Sequence, residues 1–367
     1  MDLNFPKGRR QGFAAITGIL ALASLTLGGT VQALTQAEIA NLKGPDRQKT
    51  LEEGARKEGA VAIYAALGVN EGLGPLLDAF AKKYPGIQGT YWRGSSREIL
   101  NKVLVEKRAN GLVADVVEGG GLAMPTIKAG VAEPFHSSSL VDHPKALYDS
   151  EGLFAASRTA YYSLVYNTKL IPSAGAPRTH EDLIDPKWRG QIAWRAGDES
   201  GALLFITNIL FTLGDGKGEE YLQKFAKQGI VNFSSSARAL VDRVGQGEYP
   251  MAVNISLDLP VDAIGKGAPI AVKLIEPVAT TSNTILLVKG APHPHAAMLL
   301  IDFILGTEGQ SILAKAGFFV PHTKVDPNDD MKQVMPRLRN VKETVIPPAV
   351  MFESRDKAIA LFEKYFN

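Results

Sequence analysis

The stretch that decides the fold is residues 61–121, VAIYAALGVNEGLGPLLDAFAKKYPGIQGTYWRGSSREILNKVLVEKRANGLVADVVEGGG. Residues 61–65 are apolar and lie between glycines, which predicts a short buried strand. Residues 73–84 repeat apolar side chains at helical spacing, and a second strand follows at 88–92. A helix from Ser95 and a third strand at 114–117 complete the alternation. Parallel strands need such crossover connections, so the stretch predicts an α/β fold with a helix-flanked parallel sheet.

The second half of the chain also alternates predicted strands and helices, although it does not repeat the sequence of the first half. Strands are predicted at 160–166, 191–194, 251–253 and 282–288. Helices are predicted at 200–213, 219–227, 235–244, 296–305 and 352–365. We find no internal repeat and no low-complexity linker, so we expect two domains joined by strands rather than by a flexible tether.

The composition is that of an ordinary globular protein, and it excludes several classes. The 367 residues include 45% hydrophobic and 21% charged side chains, which argues against a disordered chain or a polytopic membrane protein. The 40 basic and 38 acidic residues contain no long basic run, so nothing points to nucleic acid as a partner. The absence of cysteine excludes disulfides, thiolate metal sites, cysteine nucleophiles and a lipoprotein anchor.

The N-terminus has the order of a secretory signal peptide. Lys7, Arg9 and Arg10 precede an apolar run at 13–27, and Ala33 ends a small-residue segment typical of a cleavage site. The run is shorter than the ~18–20 residues of a membrane span, and an uncleaved anchor is the alternative. The arginine pair leaves both Sec and twin-arginine export open. We therefore predict that residues 1–33 are a signal peptide and that the mature protein is free in the periplasm.

Five short motifs occur in order along the mature chain. They are YNTKLI at 166–171, DLIDPKWRG at 182–190, GEYP at 247–250, GAPHPHAA at 290–297 and TEGQ at 307–310. Together they resemble the ferric-iron-type extracellular solute-binding proteins of ABC importers, a branch of the type II periplasmic binding fold. The resemblance extends over most of the mature chain, from about Gly59 to about Pro321.

The resemblance implies a two-lobed type II periplasmic-binding-protein fold, in which each lobe is a helix-flanked sheet and two hinge crossovers join the lobes. Lobe one would comprise residues 34–157 and 278–325, and lobe two residues 158–277 and 326–367. A small solute would bind between the lobes, which close by a hinge motion and pass it to an ABC permease in the inner membrane. The implied function is capture and delivery by a monomer, without enzyme activity, cofactor or metal.

The tyrosines depart from the family pattern. Iron-binding members carry two adjacent tyrosines after the strand that follows the GEYP-like motif, whereas residues 253–260 read VNISLDLP here. Tyr161 and Tyr162 form a pair elsewhere, but neighbours in a strand point to opposite faces, so only one of them can line the cleft. We therefore expect an anionic organic solute (a carboxylate, a phosphonate or a phosphorylated metabolite) and keep ferric iron as the alternative.

Side chains able to bind an anion follow several predicted strands. Ser95 and Ser96 open a helix beside Arg93, where hydroxyls, free helix N–H groups and a guanidinium come together. Arg195 precedes a second helix start near Ser200. Both Ser95 and Ser200 have helix capping as an alternative role, and a solvated surface position is the alternative for the arginines.

Acidic side chains near the same strand ends favour a cationic amine instead. They are Asp198, Glu199 and Asp258. Gly119 and Gly120 either admit backbone N–H groups to a ligand or only turn the chain. The complete set of predicted ligand-binding residues is Leu67, Arg93, Ser95, Ser96, Gly119, Gly120, Arg158, Tyr161, Tyr162, Trp194, Arg195, Ser200, Asn254 and Asp258.

Other classes of function are weaker alternatives. A secreted hydrolase of the α/β type would need a nucleophile elbow, and no GxSxG motif occurs. A protein that presents its ligand to a sensor would share the cleft and differ in its docking surface. His293 and His295 invite a metal interpretation, but a His-Pro-His segment at a helix start more often has a capping role.

Overall fold

Strands and helices alternate along the chain as predicted. The computed structural model describes residues 34–196 and 200–367, so the predicted signal peptide at 1–33 and the acidic residues Asp198 and Glu199 lie outside the described residues. The strands are β1 (Ala60–Ala65), β2 (Gln88–Arg93), β3 (Val116–Gly120), β4 (Ala132–Glu133), β5 (Ala155–Asn167), β6 (Ile192–Arg195), β7 (Val231–Phe233), β8 (Met251–Ser256), β9 (Ile270–Lys273), β10 (Val278–Val288) and β11 (Glu343–Val345). The helices are α1 (Gln36–Ala40), α2 (Arg47–Glu58), α3 (Gly74–Lys83), α4 (Ser96–Arg108), α5 (Ala123–Lys128), α6 (Ala202–Leu213), α7 (Asp215–Ala226), α8 (Ala237–Gln246), α9 (Asp258–Gly265), α10 (Pro294–Leu305), α11 (Thr307–Lys315), α12 (Asp329–Lys332), α13 (Pro336–Arg339), α14 (Pro348–Glu353) and α15 (Arg355–Tyr365).

The strands form one mixed sheet in the order β2-β1-β3-β10-β5-β8-β6-β7. β4 and β11 pair with β10, and β9 pairs with β5. β1 runs parallel to β2 and β3, which we call the first parallel set, and β6 runs parallel to β7 and β8, the second parallel set. β5 and β10 are antiparallel to each other. β5 is also antiparallel to β8, and β10 is also antiparallel to β3. The two parallel sets are therefore joined by two long shared strands.

The third strand begins two residues later than predicted. Asp115 is fully buried, and its carboxylate oxygens accept hydrogen bonds from the backbone N–H groups of Ala62, at 2.8 Å, and His293, at 2.7 Å. The strand begins at Val116 and continues through Gly119 and Gly120. The apolar pattern alone did not show that the glycines are part of the strand.

Separate apolar clusters cover the two parallel sets. One cluster packs α2, α3 and α10 on the first set and includes Phe80 and Leu300, whereas another packs α6, α7 and α15 on the second set and includes Phe225. α10 and α6 are apolar nearly all round and largely buried, as expected for core helices. No single helix in 34–196 or 200–367 is long and apolar enough to cross a membrane, and α10 and α11 meet that length only as a pair bent by 56°.

The C-terminal segment contacts both parts of the sheet. β11 pairs with the start of β10, and α15 packs into the cluster of the second set through Leu361 and Phe366. α14 contacts both α5 and α6, and the Lys128 ammonium lies 4.1 Å from the centre of the Phe352 ring. The helix predicted at 352–365 is thus two helices that meet at Ser354. The lobe boundaries remain a prediction.

Candidate functional site

The carboxyl ends of the two parallel sets face each other across the middle of β5 and β10. β3 ends at Gly120, which pairs with Asn283, and β8 ends at Ser256, which pairs with Tyr162. Because β10 is antiparallel to β3 and β5 is antiparallel to β8, each set points along the shared strands toward the other. Four residue steps separate the two pairs, which is about 13 Å along a strand. We call the two strand ends the first edge and the second edge.

Helices begin at both edges. The shared strands between the edges, residues 158–162 and 279–283, form what we call the junction. α4 follows β2 at the first edge, and α6, α8 and α9 follow β6, β7 and β8 at the second edge. The first turn of a helix offers unpaired backbone N–H groups and a partial positive charge. The helix starts therefore contribute a partial positive charge to both edges.

At the first edge, α4 lies directly against the end of β3. A Cβ atom on Gly119 would be 2.6 Å from the Ser96 hydroxyl oxygen and 3.2 Å from the Cβ atom of Ala66. Gly119 therefore permits the close approach of a helix to a strand end, a role that differs from the two expected from the sequence, which were access of backbone N–H groups to a ligand and a turn of the chain. Gly120 is exposed, and a Cβ there would lie 3.1 Å from the Asn283 side-chain oxygen.

Ser95 caps α4. Its hydroxyl donates to the Glu98 carboxylate at 2.7 Å and accepts from the Glu98 backbone N–H at 3.4 Å, while the Ser95 N–H donates to the same carboxylate at 2.8 Å. These hydrogen bonds lower the pKa of Glu98. Arg93 is exposed and makes no ion pair with any residue in the described part of the chain. At this edge Ser96 and Arg93 thus remain the candidates to contact a ligand.

Arg158 lies in the junction and is bound to a buried carboxylate. Its Nε and Nη2 atoms donate to Glu118 Oε1 at 3.2 and 3.0 Å, and the Ser157 hydroxyl donates to the same oxygen at 2.8 Å. The Phe318 ring covers the guanidinium, with its centre 5.0 Å from Cζ. The Arg158 side chain is 12% exposed and that of Glu118 only 3%. The Glu118 carboxylate therefore neutralises the positive charge of the Arg158 guanidinium. The sequence analysis did not identify this partner.

At the second edge, Arg195 and Asn254 fix the connection between β6 and α6. Arg195 Nε donates to the Ser235 carbonyl oxygen at 3.2 Å, and Nη1 donates to the Ser200 hydroxyl at 3.4 Å. The Asn254 amide donates to the carbonyl oxygens of Ser200 and Gly201 at 3.0 and 2.8 Å. Asn254 has a left-handed backbone with φ of 56°, a conformation that asparagine tolerates better than most residues. Arg195 and Ser200 are half-buried, so both reach the surface beside the helix start.

The two adjacent tyrosines have different surroundings. Tyr161 is 4% exposed and packs edge-on against Phe319 at 4.8 Å, and burial raises the pKa of Tyr161 to about 12. Tyr162 is half-buried beside Ser256 at the second edge. The Ser256 hydroxyl donates to the Asp258 carboxylate, which is half-buried at the start of α9. Only Tyr162 of the pair is placed to contact a ligand.

Two predicted site residues are core residues instead. Trp194 is fully buried, its indole N–H donates to the Asn232 side-chain oxygen at 2.6 Å, and its ring packs 4.6 Å from that of Phe366. Leu67 is 3% exposed and belongs to the cluster over the first parallel set. Ile192 and Trp194 pack into the cluster with α6, α7 and α15, whereas Ala193 between them packs into the cluster on the other face of the sheet. The four residues of β6 were too few to reveal these directions. We do not retain either residue in the candidate site.

Other site residues were missed by the sequence analysis. Asn283 stands opposite Arg158, Glu118 holds that arginine, and Ser235 binds Arg195. Glu118 had a visible signal, because it is the one charged residue in a strand of valines and glycines. Asn283 was less visible, because it lies between the polar residues Ser282 and Thr284 of β10. Ser235 had none, since a serine before a helix usually caps it.

Two small cavities among the described residues are too small for an organic solute. One of about 20 Å³ lies between Tyr162, His180, Asn208 and Asn254, and one of about 10 Å³ lies beside Glu118. Each is about the size that one water molecule needs. Neither of these two cavities is therefore a candidate site for an organic solute.

The side chains that could bind a metal are dispersed. Among the described residues, no three His, Asp or Glu side chains lie close enough together to hold an ion. His293 and His295 contact different carboxylates, Asp115 at 3.0 Å and Glu58 at 2.7 Å. These contacts secure the start of α10.

Comparison with known sequences identifies relatives among binding proteins. A family model of bacterial extracellular solute-binding proteins matches residues 113–341. A Salmonella typhimurium protein, provisionally named a 2-aminoethylphosphonate-binding periplasmic protein, is 25% identical over 293 residues, which cover 74% of this chain and 82% of that protein. Iron uptake protein A1 of Synechocystis is 25% identical over 255 residues, which cover 64% of this chain and 69% of that protein.

Solved structures share the fold at lower sequence identity. Trichodesmium IdiA (FutA), in complex with iron and citrate, has a TM-score of 0.74 at 19% identity, over 84% of this chain and 99% of that chain. The periplasmic binding protein AfuA of Actinobacillus pleuropneumoniae, with fructose-6-phosphate bound, has a TM-score of 0.64 at 21% identity, over 84% of this chain and 98% of that chain. The predicted two-lobed α/β fold is confirmed by these matches.

Proposed function

Because the chain belongs to the bacterial extracellular solute-binding protein family, we propose that it captures a small anionic organic solute between the two facing edges and delivers it to an ABC permease in the inner membrane. The solute class that we propose is a phosphonate or a phosphate ester. The mature protein acts as a monomer in the periplasm, after removal of residues 1–33.

The observation that supports an anion is the concentration of N–H donors at the two edges. Arg93 and the N-terminus of α4 belong to the first edge, and Arg195 and the N-termini of α6 and α8 belong to the second. Helix N-termini and arginines are the groups that bind anionic oxygens in proteins. A phosphonate or phosphate group offers three oxygens around one centre and accepts from more of these donors than a carboxylate does.

The names of two relatives agree with this class of ligand. The provisional name of the Salmonella protein contains a phosphonate, and the AfuA structure contains a sugar phosphate. Both compounds carry a tetrahedral phosphorus oxyanion. An amine such as that of 2-aminoethylphosphonate would suit Asp258, which is half-buried at the second edge.

Ferric iron is the second candidate function. It is favoured by the names of the Synechocystis relative and of the Trichodesmium structure. Phenolate ligands suit a hard ferric ion, but residues 253–260 contain no tyrosine. Tyr161 is buried with its pKa raised to about 12, so it is a poor source of phenolate. These observations place ferric iron second.

A thermal-shift screen of residues 34–367 tests the proposal. The panel contains 2-aminoethylphosphonate, methylphosphonate, fructose-6-phosphate, citrate, ferric citrate and putrescine. A ligand at 100 times its Kd stabilises the folded protein by about 2.7 kcal/mol, which is easily detected. We expect phosphonates or phosphate esters to raise Tm and putrescine to have no effect.

A matched pair of arginine variants identifies the site. Arg195→Ala should abolish the shift, whereas Arg56→Ala should preserve it, because Arg56 pairs with Glu52 on the surface of α2 away from both edges. A shift with ferric citrate alone, together with a visible phenolate charge-transfer band, would establish the iron alternative instead.

A further inference from the structure

We propose that Glu118 is a positioning residue of the ligand site, which holds Arg158 by one edge of its guanidinium so that the other edge binds the anionic group of the solute. The inference rests on the proposed function. Glu118 was not among the ligand-binding residues predicted from the sequence, and in this proposal it does not touch the ligand itself.

The hydrogen bonds of Arg158 are one-sided. Nε and Nη2 both donate to Glu118 Oε1, at 3.2 and 3.0 Å. Nη1 has no hydrogen-bond partner among residues 34–196 and 200–367, and it is not one of the buried polar atoms left unpaired there. Nη1 therefore reaches solvent with both of its N–H groups available.

The available edge of Arg158 lies at the junction. Arg158 stands opposite Asn283, and Asn283 stands opposite Gly120, the exposed last residue of β3. The same end of the sheet carries Ser96 at the start of α4. An anion at the junction can therefore accept hydrogen bonds from Nη1.

The guanidinium is held in advance of ligand binding. Glu118 fixes it in its plane, and the Phe318 ring fixes one of its faces. Ser157 in turn holds the Glu118 carboxylate through a 2.8 Å hydrogen bond. A planar fork held in this way loses little rotational freedom when it binds an oxyanion, which is how preorganised arginines gain affinity.

The Glu118 carboxylate is not arranged for stability alone. All three donors converge on Oε1, while Oε2 is buried and has no hydrogen-bond partner among the described residues. The space beside it is a cavity of about 10 Å³, lined mainly by apolar side chains that include Ile63 and Leu73. A buried ion pair with an unpaired oxygen is a costly way to stabilise a sheet, and an apolar pair is often at least as stable.

Substitutions at Glu118 separate positioning from simple electrostatics, because the two make opposite predictions. Removing a negative charge near the site should strengthen anion binding by Coulomb's law. Loss of positioning should weaken it. The variants are Glu118→Gln, which keeps a hydrogen-bond acceptor of the same shape, and Glu118→Met, which keeps only the volume. Glu133→Gln is the matched control, since Glu133 is also largely buried in the same sheet and makes no ion pair with Arg158.

The experiment is calorimetric titration of each variant of residues 34–367 with 2-aminoethylphosphonate and with fructose-6-phosphate. We expect Kd to rise roughly tenfold or more for Glu118→Met and by a smaller factor for Glu118→Gln, with Glu133→Gln unchanged. Far-ultraviolet circular dichroism checks the folding of each variant. If Glu118→Met does not fold, the test rests on Glu118→Gln. The folded Glu118→Gln variant should then have a higher Kd than the natural protein.

The outcomes distinguish the inference from the proposed function. Equal or tighter anion binding by both Glu118 variants overturns the positioning role, and a lower Tm with unchanged Kd shows a purely structural role. In an Arg158→Lys background, which keeps the charge but lacks the fork, Glu118→Gln should change Kd by less than about twofold. Failure of the natural protein to bind any phosphonate or phosphate ester would instead overturn the proposed function, and the inference with it.

Discussion

The Asn254 side chain donates a 2.8 Å hydrogen bond to the carbonyl oxygen of Gly201 and thereby ties the end of β8 to the start of α6. The second edge depends on this link, because Arg195 and Ser200 flank the same connection. Asn254 adopts a left-handed backbone to make the contact, with φ of 56°. Backbone strain of this kind is found preferentially where a site needs it.

Two substitutions of Asn254 should separate its hydrogen bonds from its backbone conformation. Asn254→Gly removes the hydrogen bonds and relieves the strain, and we expect it to lower the free energy of unfolding by about 1–2 kcal/mol. Asn254→Ala removes the bonds and keeps an unfavourable backbone, so we expect a loss about 1 kcal/mol larger. Urea unfolding measures both. Equal stability of the alanine and glycine variants would contradict a contribution from the backbone.

Adjacent residues of β6 should have opposite effects on stability and on binding. Trp194 is buried against Phe366, so Trp194→Phe should lower stability by about 2 kcal/mol and leave the Kd for the solute unchanged. Arg195 is half-buried beside the start of α6, so Arg195→Ala should weaken binding more than it lowers Tm. Calorimetric titration and thermal unfolding of both variants provide the comparison. A large change in Kd for Trp194→Phe would restore that residue to the site.

Close packing at the first edge can be tested by a compensating pair of substitutions. Gly119→Ala places a methyl group 2.6 Å from the Ser96 hydroxyl oxygen, so it should displace the start of α4 and cost about 1–3 kcal/mol. Ser96→Ala removes that oxygen, and the double variant should recover much of the lost stability. Chemical denaturation of the two single variants and the double variant tests the coupling, which additive effects would disprove.

Stability should fall as the pH drops from 6.5 toward 4 because of His180. Its ring packs against Phe205 and Tyr221, and burial lowers the pKa of His180 to about 4. The unfolded chain takes up a proton near pH 6.5, whereas the folded protein resists it until about pH 4. The free energy of unfolding should therefore fall by about 1.4 kcal/mol per pH unit in this window from His180 alone.

The control for the pH prediction is His180→Phe, which keeps an aromatic ring. Burial also lowers the pKa of His136, His143 and His322, so the variant should keep part of the pH dependence and lose about one proton of slope. Urea unfolding at pH 7, 6, 5 and 4.5 gives both slopes. An unchanged slope in His180→Phe would show that His180 is not responsible.

Much of the fold could be predicted from local pattern. The spacing of apolar residues predicts the first three strands and their helices, and Pro85 marks the end of a helix. The spacing of Ser95 and Glu98 predicts the N-terminal cap of α4. Short strands could not be predicted, because the three residues of β7 or of β11 are too few to show an alternation of apolar and polar side chains. The start of β5 at Ala155 could not be predicted either, because polar residues interrupt the apolar pattern there. Pairing with β10 holds this part of β5 in the sheet.

The site was less predictable than the fold, for a physical reason. Sequence can place an arginine at a strand end but cannot show what neutralises it, and Glu118 lies 40 residues from Arg158 in the chain. The sequence also did not show to which face of a strand each side chain points. Trp194 and Arg195 are neighbours, yet one faces the core and the other the helix start.

The most direct test of the account is a crystal structure of residues 34–367 with the panel phosphonate or phosphate ester that gives the largest thermal shift. The account predicts that the phosphorus oxyanion lies between the edges, with one oxygen accepting from the first turn of α4 beside Ser96 and another from Arg195. An anion bound outside the space between the edges, or an iron ion ligated by Tyr162, would contradict it.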